Sequence, residues 1–299
     1  MSQSSIKETI IIIILAAIWG ASFLFMRILV PQLTPISTAN LRILIAGISV
    51  FAIYYFSGRL KGNLSADWKK YLIAGVFNSA IPFCLYCFAS QYLPAGYSSI
   101  LNALTPLFTA VLSIFYLKNP LTKDKLLGLI LGFIGVLILM WPKILNSSIT
   151  GIMPILAMLS CIGATICYAI GSTYAKKFLG HCSSESLAAY TQILAGVCML
   201  PLWIFNMPVD KLIHVFYTPK LIFSLLSIAI FCSGLSYILF FSLIRTAGTI
   251  KATSTTFLIP FFGILWAYIF LGEEMPNTAY ISLIFIVISS ILVLRPDKK

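Results

Sequence analysis

Long apolar runs separated by short polar breaks make up almost the whole chain. Ten such runs can be traced, at about 8–29, 35–56, 70–90, 95–117, 125–141, 151–176, 185–206, 220–244, 248–271 and 277–295. Each approaches the ~20 residues that an α-helix needs to cross a hydrocarbon layer. The breaks carry loop chemistry: Pro31 to Pro35, Ser57-Gly58, Leu93-Pro94-Ala95-Gly96, Lys118-Asn119-Pro120 and Pro208 to Pro219. Glycine loosens the backbone at such points and proline removes a helix donor. The pattern predicts an all-α integral membrane protein with ten transmembrane helices. The first run follows Lys7 and Glu8 and outlasts the core of a signal peptide, so it reads as a retained first span.

Composition sharpens this picture. Of 299 residues, 60% are hydrophobic and 9% are charged, against ~25% charged in a typical soluble domain. So few charges cannot cover a water-facing surface of this size, which makes the lipid bilayer the first partner. The net charge of +12 does not signal nucleic acid, because the cations form small clusters between apolar runs. With the N-terminus in the cytoplasm, fifteen lysines and arginines fall on the cytoplasmic side. Only Lys143, Lys211 and Lys220 fall on the other, while Arg27 and Arg42 lie within spans. A miscounted helix would reverse every later loop and blur that separation. The bias therefore supports ten spans with both termini cytoplasmic. The seven cysteines are odd in number and mostly lie in apolar runs, which argues against a secreted disulfide framework. Cys84 and Cys87 read as small apolar side chains of one helix.

The two halves resemble each other. Trp19-Gly-Ala-Ser22 through Arg27 lies over Tyr168-Ala-Ile-Gly171 through Lys176, and Ala46-Gly47 lies over Ala195-Gly196. Further on, Leu104-Thr-Pro106-Leu-Phe108 matches Leu258-Ile-Pro260-Phe-Phe262. Residues 1–145 and 146–299 thus read as two five-helix repeats within one membrane domain. An odd number of spans per repeat inverts the second relative to the first. Inverted repeats recur in secondary transporters, with the substrate site near the midplane between the halves.

These residues also resemble a known family. Trp19-Gly-Ala-Ser-Phe23, Leu41-Arg42 and Ala46-Gly47 are similar to the drug/metabolite transporter superfamily. Ala103-Leu-Thr-Pro106-Leu, Gly128-x-x-x-Gly132-x-x-Gly135-Val and Leu271-Gly-Glu273 resemble its EamA-type branch in particular. The resemblance runs over essentially the whole chain. It implies a bacterial inner-membrane exporter of amino acids or related metabolites with a central cavity. The chain departs from the family at one point: where Leu-Gly-Glu is usual after the fourth helix, it has Leu117-Lys118-Asn119.

The candidate chemistry is that of binding. All eight acids, including Glu273 and Glu274, fall at span ends or in loops. A carboxylate within the membrane, the usual mark of proton coupling, is not visible. Facilitated diffusion, or coupling through Glu273 or Glu274 near the outer face, remains open; the alternative for that pair is a solvated helix end. Arg42 lies roughly 10 Å into the second span at 1.5 Å per residue. It binds a substrate carboxylate near the outer mouth, makes a structural pair with backbone carbonyls, or snorkels to the interface. Arg27, near its helix end, reads as snorkelling to the interface.

Ser98, Asn102, Thr105 and Thr109 share one face of the fourth span, and Asn78, Pro82 and Tyr86 one face of the third. With Trp19, Phe23, Tyr168, Tyr237 and Thr256 they would line a mostly apolar pocket. Helix packing is the competing explanation for each. Gly128-x-x-x-Gly132 reads as close packing, and Pro82, Pro106, Pro154 and Pro260 as span interruptions. Pro106 and Pro260, equivalent in the two repeats, are candidate gates. His181 and His214 fall in loops, and no metal-ligand spacing, phosphate loop or nucleophile elbow is present. The expected function is a secondary transporter exporting a small metabolite such as an amino acid, without cofactor or catalytic residues, as monomer or homodimer. Uptake of a scarce metabolite and efflux of drug-like compounds are the alternatives, and a lipid-modifying membrane enzyme is the contrasting class.

Overall fold

A computed structural model describes residues 3–56, 58–117, 123–145 and 151–294. Ser57, the Lys118-Asn119-Pro120 break and the terminal cations Arg295, Lys298 and Lys299 lie outside the described residues. Within them every regular element is helical. The helices are α1 (Gln3–Leu29), α2 (Pro35–Tyr55), α3 (Leu64–Ala89), α4 (Ala95–Asn102) and α5 (Thr105–Leu117). There follow α6 (Lys123–Leu145), α7 (Met153–Leu179), α8 (Ser184–Phe205), α9 (Val209–Tyr217), α10 (Pro219–Gly248), α11 (Ile259–Leu271) and α12 (Asn277–Leu294).

Among the described residues, seven helical stretches are long and apolar enough to cross a membrane. Three shorter apolar helices, Leu126–Pro142, Thr255–Leu271 and Asn277–Ser289, occupy the fifth, ninth and tenth apolar runs. The helix starts follow capping chemistry. The Thr34 hydroxyl, Asn63 amide oxygen and Ser183 hydroxyl accept from the backbone N–H of Ser37, Ala66 and Ser186 at 3.1, 3.0 and 3.2 Å. The core is largely apolar, but the exterior differs from that of a soluble protein. Phe56, Phe133, Phe223, Phe261 and Phe270 stand exposed, while Ser37, Asn40, Thr191 and Gln192 are buried. Outward apolar and inward polar side chains suit a hydrocarbon surround.

Glycine sets how closely the helices cross. A Cβ on Gly47 would lie 2.7 Å from Ile193 N, and one on Gly196 2.5 Å from a Leu44 methyl, so α2 and α8 meet almost backbone to backbone. Along α6 the glycine stripe does the same against α12. The Ser289 hydroxyl donates to Gly128 O at 2.6 Å and that of Ser282 to Gly135 O at 2.7 Å.

Four departures from regular helix, among the described residues, shape the interior of the bundle. The third and eighth runs each contain a π-helical stretch, Val76–Ala80 and Ser227–Leu235. The fourth run breaks at Ala103 and Leu104, and the ninth passes through a 3-10 turn, Ser254–Phe257. Pro106 and Pro260 each sit in the first turn after such a break, where a missing N–H costs least. Pro82 follows the first π stretch in the same way. Pro154 differs from expectation: it opens α7 and interrupts nothing, because the helix starts at Met153. His214 likewise lies in the short helix α9, not in an irregular loop. Val209, Ile213, Phe216 and Tyr217 of that helix remain exposed, as in an interfacial helix.

Candidate functional site

The nine residues singled out for binding come together. Trp19 and Phe23 of α1, Arg42 of α2, Asn78 and Tyr86 of α3, Asn102 of α4, Tyr168 of α7, Tyr237 of α10 and Thr256 all line one cavity. It offers about 60 Å³ to the centres of water-sized molecules, within about 630 Å³ of atom-free space that includes its open mouth. Its walls come from both halves of the chain and are mainly aromatic. Trp19 packs edge-on against Phe240 with centroids 5.1 Å apart, and Phe23 against Tyr86 at 5.3 Å. Tyr86 and Tyr168 stack at 6.1 Å.

The polar groups are held by irregular backbone. In the first π stretch the Asn78 carbonyl accepts from the Tyr237 hydroxyl, and the Asn78 amide oxygen accepts from Ser172 at 3.3 Å. In the second, Ser233 donates to Ile228 O at 2.9 Å and accepts from Arg42 Nε at 2.6 Å. A π turn leaves carbonyls out of the regular ladder, and such turns often occur at functional positions. The break before Pro106 acts similarly. Proline cannot donate to Asn102 O, so the Thr105 hydroxyl does at 2.8 Å. Asn102 Oδ1 in turn accepts from Tyr86 at 2.9 Å, and Trp19 Nε1 donates to Ser236 at 3.1 Å.

Sequence reasoning missed Ser22, Met26, Phe83, Ser172, Phe240 and Ile259, which also line the cavity. A usable signal existed. Trp19, Ser22, Phe23 and Met26 follow the i, i+3, i+4, i+7 rule, and the others lie three or four residues from a named anchor. Of the fourth-span stripe, Asn102 and Thr105 reach the cavity. Ser98 instead meets Cys161 at 3.7 Å, and Thr109 is buried with its hydroxyl on Thr105 O.

Arg27 does not snorkel, and Glu273 is not a solvated helix end. Arg27 Nε donates to Glu273 Oε1 at 3.1 Å and Nη1 to Ser90 O at 2.8 Å, while Glu273 Oε2 accepts from Ala95 N at 2.8 Å. Left-handed Gly272 (φ 65°) ends α11 and turns Glu273 toward α1. The ends of α1, α3 and α11 and the start of α4 are thereby tied through one ion pair, α4 by the carboxylate and α3 by the guanidinium. The two partners are 246 residues apart, beyond the reach of any local pattern.

A second polar cluster lies at the opposite end of the helices. Asp67 Oδ1 accepts from Lys70 at 2.6 Å, Asp67 Oδ2 faces His181 Nε2 at 3.2 Å, and Tyr71 donates to Cys182 Sγ at 3.0 Å. Asp67, His181 and Cys182 offer ligand atoms within 4.8 Å of one another, a proximity that the spacing of these residues does not reveal. Each of Asp67 and Cys182 already has a protein partner, and burial pushes the Cys182 thiol up, away from the thiolate a metal requires. The cluster serves as a bracket between α3 and the α7–α8 turn.

Among the described residues, helices with apolar exteriors enclose a largely apolar cavity that carries a few polar groups, an arrangement that fits a membrane transporter in class. The chain belongs to the EamA-like transporter family, which it matches over residues 6–141 and again over 155–295. A Bacillus subtilis transporter, YvbV, is 28% identical over 98% of this chain and 93% of its own length. An Escherichia coli (strain K12) probable amino-acid metabolite efflux pump is 22% identical over 94% and 92%. Dickeya dadantii protein PecM is 24% identical over 92% and 88%. A crystal structure that covers 98% of each chain superposes with a TM-score of 0.65 at 16% identity, a likeness of fold alone.

Proposed function

We propose that this protein is a secondary transporter that exports a small metabolite, such as an amino acid, by alternating access. In this reading it spans a bacterial inner membrane ten times as two inverted five-helix repeats, residues 1–145 and 146–299, with both termini cytoplasmic. The observation that carries the proposal is the cavity lined from both halves by all nine candidate residues. The packing supports the repeat, since three sets of helix contacts have counterparts when the halves are exchanged. α1 packs on α11 as α7 does on α4 and α5; α3 packs on α7 as α10 does on α1; α2 packs on α10 as α8 does on α3. The π stretches and the breaks before Pro106 and Pro260 recur at matching places, and the family matches twice in tandem. Pro106 and Pro260 are then the hinges about which the second half of each broken run tilts.

Among the described residues, none that lines the cavity is acidic. Proton antiport through a membrane-buried carboxylate at the site therefore has no support, and coupling at Glu273 or facilitated diffusion fits better. Amino-acid export is favoured over uptake by the name of the Escherichia coli relative.

Metabolite profiling of cells and medium tests the proposal, comparing the wild type with Arg42→Ala plus Asn102→Ala at matched membrane abundance. A compound lost from cells and gained by the medium only with the wild type is the expected outcome. Inward movement would make the protein an importer. No difference across the panel would reject the small-metabolite reading.

A further inference from the structure

Among the described residues that line the cavity, Arg42 is the one full charge, and none of the others is an acid. Arg42 is 3% exposed, and its partners are a Ser233 hydroxyl at 2.6 Å, a Met26 thioether at 3.7 Å and the Phe83 ring, 3.6 Å from the guanidinium carbon. All three are neutral, and among the described residues no carboxylate pairs with it. A guanidinium cannot discard its proton to escape burial, so it keeps its charge in a low-dielectric setting. Asn78 also lines the cavity at 2% exposure, its amide packed toward Gly171 of α7 and its amide nitrogen without a hydrogen-bond partner. A buried cation and a buried orphan donor in one cavity lining are two deficits of the same sign, the kind an oxyanion offsets.

Charge along the helices agrees. A separate recess at the end of the bundle holding residues 180–183 is lined by Lys176 and Arg245 and by no acid. Lys176 follows Tyr168 on α7, and Arg245 follows Tyr237 on α10, by the same eight residues, roughly 12 Å of helix. The cavity and this recess therefore present cations to the same two helices at two depths. At the other end the matching cation, Arg27, is neutralised by Glu273.

We infer that the cavity binds a small organic monoanion, its carboxylate or equivalent oxyanion held by Arg42 and Asn78 and its flat apolar body by the rings of Trp19, Phe23 and Tyr168. This rests on the transport reading and narrows its substrate class, away from free zwitterionic amino acids and toward organic acids and N-acylated amino acids. It adds a discrimination by charge type. A zwitterion brings an ammonium group into a cavity with an unneutralised cation and no carboxylate to receive it. A free organic acid or an N-acylated amino acid brings the anion alone.

Ligands sharing one phenyl body test the inference: 3-phenylpropionate, 2-phenylethanesulfonate, phenylalanine, 3-phenylpropionamide and phenethylamine. Binding is measured by calorimetry on the full chain in micelles, for the wild type, Arg42→Gln and the charge-conserving Arg42→Lys, each first shown to be monodisperse and helical. The two anions are expected to bind roughly 30-fold tighter than the zwitterion and the amide. Arg42→Gln should erase that preference and Arg42→Lys restore part of it. Equal or tighter binding of phenylalanine or phenethylamine overturns the inference, as does an order unchanged in Arg42→Gln or the absence of binding by every member. Efflux of the permanently charged, membrane-impermeant sulfonate from loaded vesicles separates the two claims. Arg42-dependent binding without efflux would remove transport and leave the site, whereas efflux of phenylalanine alone would leave transport and remove the anion.

Discussion

Gly75→Ala is expected to destabilise the folded protein by about 3 kcal/mol, the upper part of the range for overpacking a tight interior. A Cβ at Gly75 would fall inside the contact radius of the Thr191 carbonyl oxygen, and 3.1 Å from the Ala195 methyl. The first obstacle is backbone, so no rotamer change relieves it, and α3 must move off α8. That crossing also positions the π stretch that starts one residue later and carries Asn78, so the damage reaches the cavity. Gly163→Ala is the control. A Cβ there meets only a Leu85 methyl at 3.6 Å. Within α7 the change should stabilise by about 0.5–1 kcal/mol, through the lower entropy cost of alanine in a helix. Thermal unfolding of both variants in the same detergent decides the matter. If the two shift alike, the α3–α8 crossing is looser than the structure describes.

Removing the Glu273 carboxylate should cost somewhat less, about 2 kcal/mol for Glu273→Ala. Hydrogen bonds to charged groups contribute about 1.5–3 kcal/mol each when sheltered, and the Arg27 side chain is 34% exposed against 14% for Glu273, which weakens the ion pair by solvent screening. Glu273→Gln keeps an oxygen for the Ala95 N–H and loses only the charge, so it should cost about half as much. A double-mutant cycle with Arg27→Ala isolates the pair, with a coupling of about 1 kcal/mol expected. Additive losses would show that Glu273 acts through Ala95 alone. In transport, the variants should open the tied end more readily, because Arg27 on α1 and the Ala95 N–H on α4 lose the carboxylate that ties them to α11. Reagent access to the cavity from that side, compared between Glu273→Ala and the wild type, reads this directly.

Legibility differed between fold and site for physical reasons. The helical runs were readable because hydrophobic content over about 20 residues is a local property of the chain. The π stretches were not, since one extra residue in a turn leaves the apolar pattern of Val76–Ala80 and Ser227–Leu235 unchanged. The nine cavity residues were legible because polar or aromatic side chains in an apolar helix seldom face lipid. Their neighbours Ser22, Met26 and Ser172 were reachable by the same helical spacing. Phe83, three residues from Tyr86, was reachable in the same way, but its partner was not, because an apolar ring in an apolar run looks the same whether it meets lipid or the Arg42 guanidinium.

By itself the sequence determined the solvent of this protein, the positions of its helices and which side chains had to turn inward. All of these follow from short-range composition and from a helical period of 3.6 residues. Tertiary structure alone decided the pairings: Arg42 with Ser233, Arg27 with Glu273, and Asp67 with His181, which lie 191, 246 and 114 residues apart. A charge in a helix advertises that it needs a partner. Which partner it finds depends on how the helices cross, and that is set by close approaches such as Gly47 on Ile193 and Gly196 on Leu44, contacts that no local pattern encodes.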